Sequence, residues 1–419
     1  MLLRFAIWEQ HGGAKAQSCR NIDNGLQGKQ NGVVGTQFTI RPADIDAIIS
    51  LIRAVVEAFP GCFLRGSTSD FKSAYRQATA NPLQAMFWIL AIFDPIRKVP
   101  CFAIAAAQLF GCSCAPLNFC RIPDWCTFVS SRLLFAAFIS CIDDIIFVEP
   151  DHFVDSAYKL WRLFANLCGW AIPDAKSPPP TASFRALGAI VRLSSQTCAK
   201  SSIQVSKDRV DKMIKILIEI ENDGGLASGL SGQIFGQLGF ACIQVHGKWG
   251  RAKMRPFVRR QYESNKFSLN PQLRSSISWW KRNLPIAPIR QVFVNDHSRH
   301  VVISYSDGEG SDAGVGIAIW CPSKITRPWA GFITVLEEVS ELWQLQHRHA
   351  VTQVEGNPEL EFNDIIEIEG VGPLLILANW GHILRHSLWL HFIDNSCALG
   401  SFVKGSSTVT QQDVIVGKT

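Results

Sequence analysis

The sequence predicts an α+β first part followed by an α/β part, and three observations carry that expectation. Apolar positions recur at helical spacing over residues 42–59 and again over 151–169. Between these segments two apolar runs, residues 135–141 and 145–148, flank the acidic pair Asp143 and Asp144 and read as buried strands of a hairpin. From residue 291 onward, strand patterns at 292–294, 301–305 and 314–319 precede a helical pattern over 365–380 and a strand over 388–393.

Taken in order, residues 4–35 are polar and glycine-rich, with Lys15, Arg20 and Lys29, and read as a loop-rich surface. Ile45, Ile48, Ile49, Ile52, Val55 and Val56 mark the first amphipathic helix, stopped by Pro60 and Gly61. Residues 99–120 carry no charge, but Pro100, Gln108, Gly111, Ser113, Pro116 and Asn118 predict a folded core segment rather than a membrane span. Phe153, Ala157, Leu160, Leu163, Phe164 and Leu167 mark a further helix, and the prolines at 178–180 break it before a short strand at 184–188. Beyond residue 194 come helices rich in Lys and Arg, including 207–220 and the basic stretch 248–260. In the last part, Ser306, Asp307 and Gly308 read as a turn between strands.

Of 419 residues, 47% are hydrophobic and 18% charged, which excludes a disordered chain. A formal charge of +6 permits nucleic-acid binding without requiring it. The 13 cysteines are odd in number and lie in apolar segments that no signal peptide precedes. Free thiols in a reducing intracellular compartment, cytoplasm or nucleus, are therefore expected. His382, His386 and His391 lack the cysteine or carboxylate that would complete a zinc set, and read as polar-face and helix-end residues. There is no P-loop.

Two adjacent carboxylates raise each other's pKa unless something positive stabilises them, and a phosphate-bound divalent metal would do so. Asp70 offers a third carboxylate upstream. Read together, residues 70–77 (DFKSAYRQ), 110–119 (FGCSCAPLNF), 141–144 (CIDD), 169–176 (GWAIPDAK) and 184–188 (FRALG) occur in one order. That order resembles the palm of a reverse transcriptase, over roughly residues 20–192.

The resemblance implies a right-hand polymerase palm, a ferredoxin-like antiparallel sheet with helices. Its site would hold Mg2+ or Mn2+ on Asp70, Asp143 and Asp144, with Asp144 the less constant ligand. Tyr75 would stack on the sugar and reject a 2′ hydroxyl. Phe110 and Gly111 would face template and nucleotide, Gly111 letting backbone approach a base. Lys176 would lie near the leaving pyrophosphate as a general acid or charge stabiliser. Arg20 resembles the fingers arginine that grips the triphosphate. Cys141 departs from the pattern by replacing the usual aromatic, and little sequence precedes Arg20, so the fingers are expected to be incomplete.

Downstream, Asp307 with Gly314 and Gly316, the run 366–371 (IEIEGV) and Asp394 resemble the strand, helix and strand acids of a ribonuclease H domain. Asp307, Glu367 and Asp394 would be its metal ligands. Glu367 is preferred to Glu369 because Gly370, Val371, Leu374 and Leu375 then take the small and apolar positions that follow. The family's final acid is not evident after residues 406–409, Asp413 being no obvious substitute, so nuclease activity is in doubt. A helical linking region with Trp279 and Trp280 lies between, and Arg251, Lys253, Arg255, Arg259 and Arg260 could follow phosphates.

The implied order is 1–69 partial fingers, 70–194 palm, 195–290 thumb or connection and 291–419 ribonuclease H-like. It is that of a truncated retroelement polyprotein, of tyrosine-recombinase or long-terminal-repeat type. The implied partners are an RNA template, a DNA primer, an RNA–DNA hybrid and deoxynucleoside triphosphates, with no membrane. The alternative is a catalytically dead remnant that only binds nucleic acid.

Overall fold

The computed structural model describes residues 2–11, 16–33, 40, 42–194, 200–245, 249–263, 266–293, 299–309, 314–324, 327–334 and 364–404. It mixes helices with small sheets in which most neighbouring strands are antiparallel. The chain divides into two units, Met1–Ser202 with Gln291–Val294, and Ile203–Arg290 with Asn295–Thr419.

The first unit begins with β1 (Leu2–His11), β2 (Ala16–Asp23), α1 (Gln30–Val33), α2 (Ile45–Ala58), β3 (Leu64–Asp70) and α3 (Ala74–Gln77). It continues with β4 (Ile89–Asp94), β5 (Val99–Ile104), α4 (Cys114–Leu133), β6 (Phe138–Cys141), β7 (Asp144–Pro150) and α5 (Asp151–Leu167). It closes with β8 (Ser183–Ala186), β9 (Ala189–Arg192) and the first half of β10 (Lys200–Val205), the strand along which the chain passes into the second unit.

The described parts of residues 4–35 are not the loop-rich surface expected. β1 and β2 form an antiparallel hairpin, and β1 also pairs in parallel with β4 in a sheet ordered β2-β1-β4-β5. The pairing of Leu2 with Leu90 is remote in sequence, so local composition does not reveal it. β5 corrects a second expectation: it is an edge strand with Phe102 and Ile104 exposed, not core. No helix among the described residues is long and apolar enough to cross a membrane.

The central sheet is ordered β3-β7-β6, and Ile145, Ile146, Phe147 and Val148 of β7 are fully buried. α2 starts where the Asp44 side chain accepts the Ala47 N–H, an N-cap, and buries Ile45, Ile48, Ile49, Ile52 and Val55. Under the sheet an aromatic cluster joins the elements: Phe71 meets Phe119 and Trp161 edge to face at 5.5 and 6.3 Å, and Trp161 meets Phe138 at 5.8 Å. Each fully buried ring contributes about 2–3 kcal/mol of apolar burial, which makes this floor stiff.

In the second unit α6 (Lys207–Asp223), α7 (Ser228–Gln244), α8 (Arg255–Gln261) and α9 (Pro271–Asn283) pack around Leu217, Leu238, Phe257, Leu273 and Trp280. The basic stretch is only partly available to phosphates. Arg260 is 1% exposed and donates to the Ser268 carbonyl at 2.7 Å, so it is a structural group, while Lys248 lies outside the described residues.

β11 (Arg290–Phe293) is the outer strand of a sheet ordered β11-β10-β9-β8. The last sheet is ordered β14-β13-β12-β15, from β12 (His300–Glu309), β13 (Gly314–Trp320), β14 (Trp329–Thr334) and β15 (Ser387–Ile393). β12 is antiparallel to β13 and parallel to β15, and α10 (Asp364–Leu384) packs on it, followed by α11 (Ser396–Lys404). Ser306, Asp307 and Gly308 therefore lie inside a strand rather than in a turn.

Candidate functional sites

The first site is made by strand register. β3 and β7 pair antiparallel so that Asp70 stands opposite Asp144, and Cys141 of β6 pairs with Asp144 across the turn of residues 142–143. Asp143 sits in that turn, reached through Ile142 at φ +56, a left-handed conformation that costs a β-branched residue about 1–2 kcal/mol. The Phe71 N–H donates to the Asp143 carbonyl at 3.4 Å, tying the turn to the end of β3. All three aspartates thus meet at one end of one sheet.

The charges there are balanced in part by Lys176, whose Nζ is ion-paired with Asp70 Oδ2. The other oxygen, Asp70 Oδ1, is buried and has no hydrogen-bond partner. Asp144 is pushed up to about 6, first by burial, then by Asp143 and Asp70, with Lys176 opposing. An orphaned carboxylate oxygen beside an acid that resists ionisation suits a hard divalent cation, so these residues fit magnesium or manganese.

Tyr75 lies against Phe110 at 5.3 Å and edge-on to Phe119 at 5.6 Å, a packed position at the start of α3. Gly111 has φ +113, and a Cβ there would lie 2.1 Å from the Asp23 carbonyl oxygen. What presses on Gly111 is therefore the end of β2, also held by the Asp23 N–H donating to the Phe110 carbonyl at 2.7 Å. Asp23 is fully buried and ion-paired with Arg4 at 2.7 Å. Arg20 is on β2 opposite Ile7, and its side chain lies outside those described.

The second site is made by a helix meeting two strands. Asp307 on β12, Glu369 on α10 and Asp394, just past β15, each bring one oxygen within 4.8 Å of the others. It is the one such group of three among the described residues. Glu369 is the glutamate that stands with the two aspartates, and the side chain of the preferred Glu367 lies outside those described. The two are two helical positions apart, about 200° around the axis, so one helix face cannot serve both. The sequence does not decide between them because α10 is buried almost all round from residue 369 to 376. Asp413 and residues 406–409 lie outside the described residues.

Glu369 is 3% exposed, and its pKa is pushed up to about 7, mainly by burial, with Asp394 and Asp307 adding and the Gly308 N–H opposing. Its Oε2 is buried without a partner, again the condition a hard cation relieves. The helix reaches the strand because position 372 is glycine: a Cβ there would lie 2.3 Å from Ser306 Oγ. The glycines at 308, 314 and 316 lie in strands β12 and β13.

No family model matches the sequence, and no curated protein matches it. Solved structures do. The foamy viral protease-reverse transcriptase dRH in complex with double-stranded DNA is 14% identical with a TM-score of 0.48, over 93% of this chain and 58% of that one. The foamy viral protease-reverse transcriptase in complex with dsDNA is 12% identical with a TM-score of 0.44, over 80% and 62%. Its complex with RNA/DNA hybrid is 12% identical with a TM-score of 0.49, over 96% and 47%. The chain spans less than two thirds of each of those chains.

Proposed function

We propose that this chain is an RNA-directed DNA polymerase of a retroelement, with residues 70–194 as palm, 195–290 as linking region and 291–419 as a ribonuclease H-like domain. The observation that carries it is the register that sets Asp70 opposite Asp144 beside the Asp143 turn, with Lys176 paired to Asp70. The five ordered motifs support the same reading. For the second domain the support is the strand order β14-β13-β12-β15 and the three carboxylates at the end of its parallel pair.

In this reading Asp70, Asp143 and Asp144 hold Mg2+ or Mn2+, and Asp307, Glu369 and Asp394 hold a second such site. Bound there, the cations supply positive charge that lowers the pKa of the attacking hydroxyl or water and offsets charge on the phosphate. The chain's own residues do the rest. Asp70 and Asp144 orient the site from facing strands, and the buried β7 keeps water from one side. Tyr75, braced by Phe110 and Phe119, bounds the sugar pocket and favours a deoxynucleoside triphosphate. Lys176 carries a proton on Nζ that it can give to the leaving pyrophosphate oxygen once it parts from Asp70. Arg20 would grip the triphosphate, and Gly111 keeps the Phe110 loop against β2.

A second reading, a remnant that binds nucleic acid without chemistry, is favoured by one observation. Among the described residues the palm aspartates do not gather into a group as tight as Asp307, Glu369 and Asp394. Primer extension on an RNA template with Mg2+ or Mn2+ separates the two. Extension by the wild type that Asp143→Asn abolishes supports the polymerase, whereas template binding with no extension supports the remnant.

A further inference from the structure

His391 takes part in a polar network that neither proposed site uses. It lies on β15 in parallel register with Ser304 of β12, and its ring joins two serines of that strand. Nδ1 is 2.9 Å from Ser304 Oγ and Nε2 is 3.1 Å from Ser306 Oγ. The Trp389 indole N–H donates to Ser304 Oγ at 2.7 Å. The indole donates to Ser304, and of the two ring nitrogens of the neutral imidazole one donates to its serine while the other accepts from the other serine. Ser304 is fully buried and Ser306 nearly so, and burial holds the imidazole neutral, with its pKa lowered to about 4.

Its location gives the network a consequence. Ser306 immediately precedes Asp307, and His391 is three residues before Asp394 on the paired strand. Ser306 also faces Gly372, one helical turn beyond Glu369, at the closest approach of α10 to β12. One ring therefore joins both strands that present aspartates, at the spot where the helix carrying the glutamate rests.

We propose that His391, through Ser304 and Ser306, is a positioning residue that sets the spacing of Asp307, Glu369 and Asp394 for a divalent cation. This rests on the reading of those carboxylates as a cation site. Backbone pairing of β12 with β15 fixes their register, and the imidazole adds side-chain links from β15 to Ser304 and Ser306 of β12. Partners of this kind, one shell behind metal ligands, typically change metal affinity by about 10–100-fold.

The test is Mn2+ binding to the full chain, read as free Mn2+ by electron paramagnetic resonance, in an Asp70→Asn, Asp143→Asn, Asp144→Asn background that removes the palm ligands. Thermal midpoints are recorded alongside. His391→Phe keeps a ring without nitrogens, and Ser306→Ala removes one link should the first variant fail to fold. Expected are loss of binding in Asp307→Asn, about tenfold weaker binding in His391→Phe and Ser306→Ala at temperatures well below their midpoints, and partial recovery in His391→Gln. If Asp307→Asn abolishes binding while Ser306→Ala and any folded His391→Phe bind as the background does, the positioning role is wrong and the cation site stands. If the background protein binds no Mn2+, or Asp307→Asn binds unchanged, the site reading falls and the proposal with it.

Discussion

The two carboxylate sites solve the same electrostatic problem by different means. At the first, three aspartates arrive through antiparallel register, and a lysine on a separate loop neutralises one of them. At the second, a helix brings a buried glutamate against two aspartates, and here the excess charge is relieved by a proton, since Glu369 titrates near 7. An internal cation must move aside to admit a metal, whereas a bound proton must leave. The first site should therefore respond most to removing a side chain and the second most to pH.

Among variants outside the carboxylates themselves, the largest effect on turnover is expected from Lys176→Met, which removes the internal cation. Extension should fall roughly 100-fold or more in kcat with KM little changed. An unchanged kcat would make Lys176 a surface ion-pair residue and erase the contrast. Gly111→Ala comes next. The left-handed φ and the approach to Asp23 together predict a loss of roughly 3–5 kcal/mol in denaturant unfolding. Gly372→Ala, a close contact with a side chain and no positive φ, should cost only about 1–3 kcal/mol.

The smallest effects are in pH. Glu369 has a folded pKa near 7 against an ordinary value of 4.5, so between those values the unfolded chain binds fewer protons than the folded one. Metal-free stability should therefore fall as pH rises from about 4.5 to 7, and Glu369→Gln should remove that part of the fall in thermal scans with chelator. Mn2+ affinity at this site should rise by about tenfold per pH unit below 7 and level off above it. A pH-independent affinity would mean that no proton is displaced.

Much of the first site is legible in the sequence because its determinants are local. The continuous apolar run buried in β7, the acidic turn and the helical spacing of α2 are properties of short windows. What local windows do not carry is the long-range pairing: β1 looks like a loop until its pairing with β4 is known, and the pairing of β11 with β10 has no mark in either segment. Glu369 is hidden because a helix buried all round offers no polar face to mark the functional one. The His391 network was invisible for a related reason, since parallel pairing across a helix is needed to set it beside Ser304. At Gly111 the close approach present in the fold is to the Asp23 carbonyl, a contact 88 positions away in sequence that no local window marks.

The central claim is that the cross-strand aspartates form a polymerase site, and the most direct test is single-turnover primer extension on an RNA template with Mg2+, comparing wild type with Asp143→Asn. Loss of a metal-holding carboxylate should slow nucleotide addition by about 1,000-fold or more while template binding stays within a few fold. Equal rates in the two proteins, or no addition by the wild type with either Mg2+ or Mn2+, would contradict it.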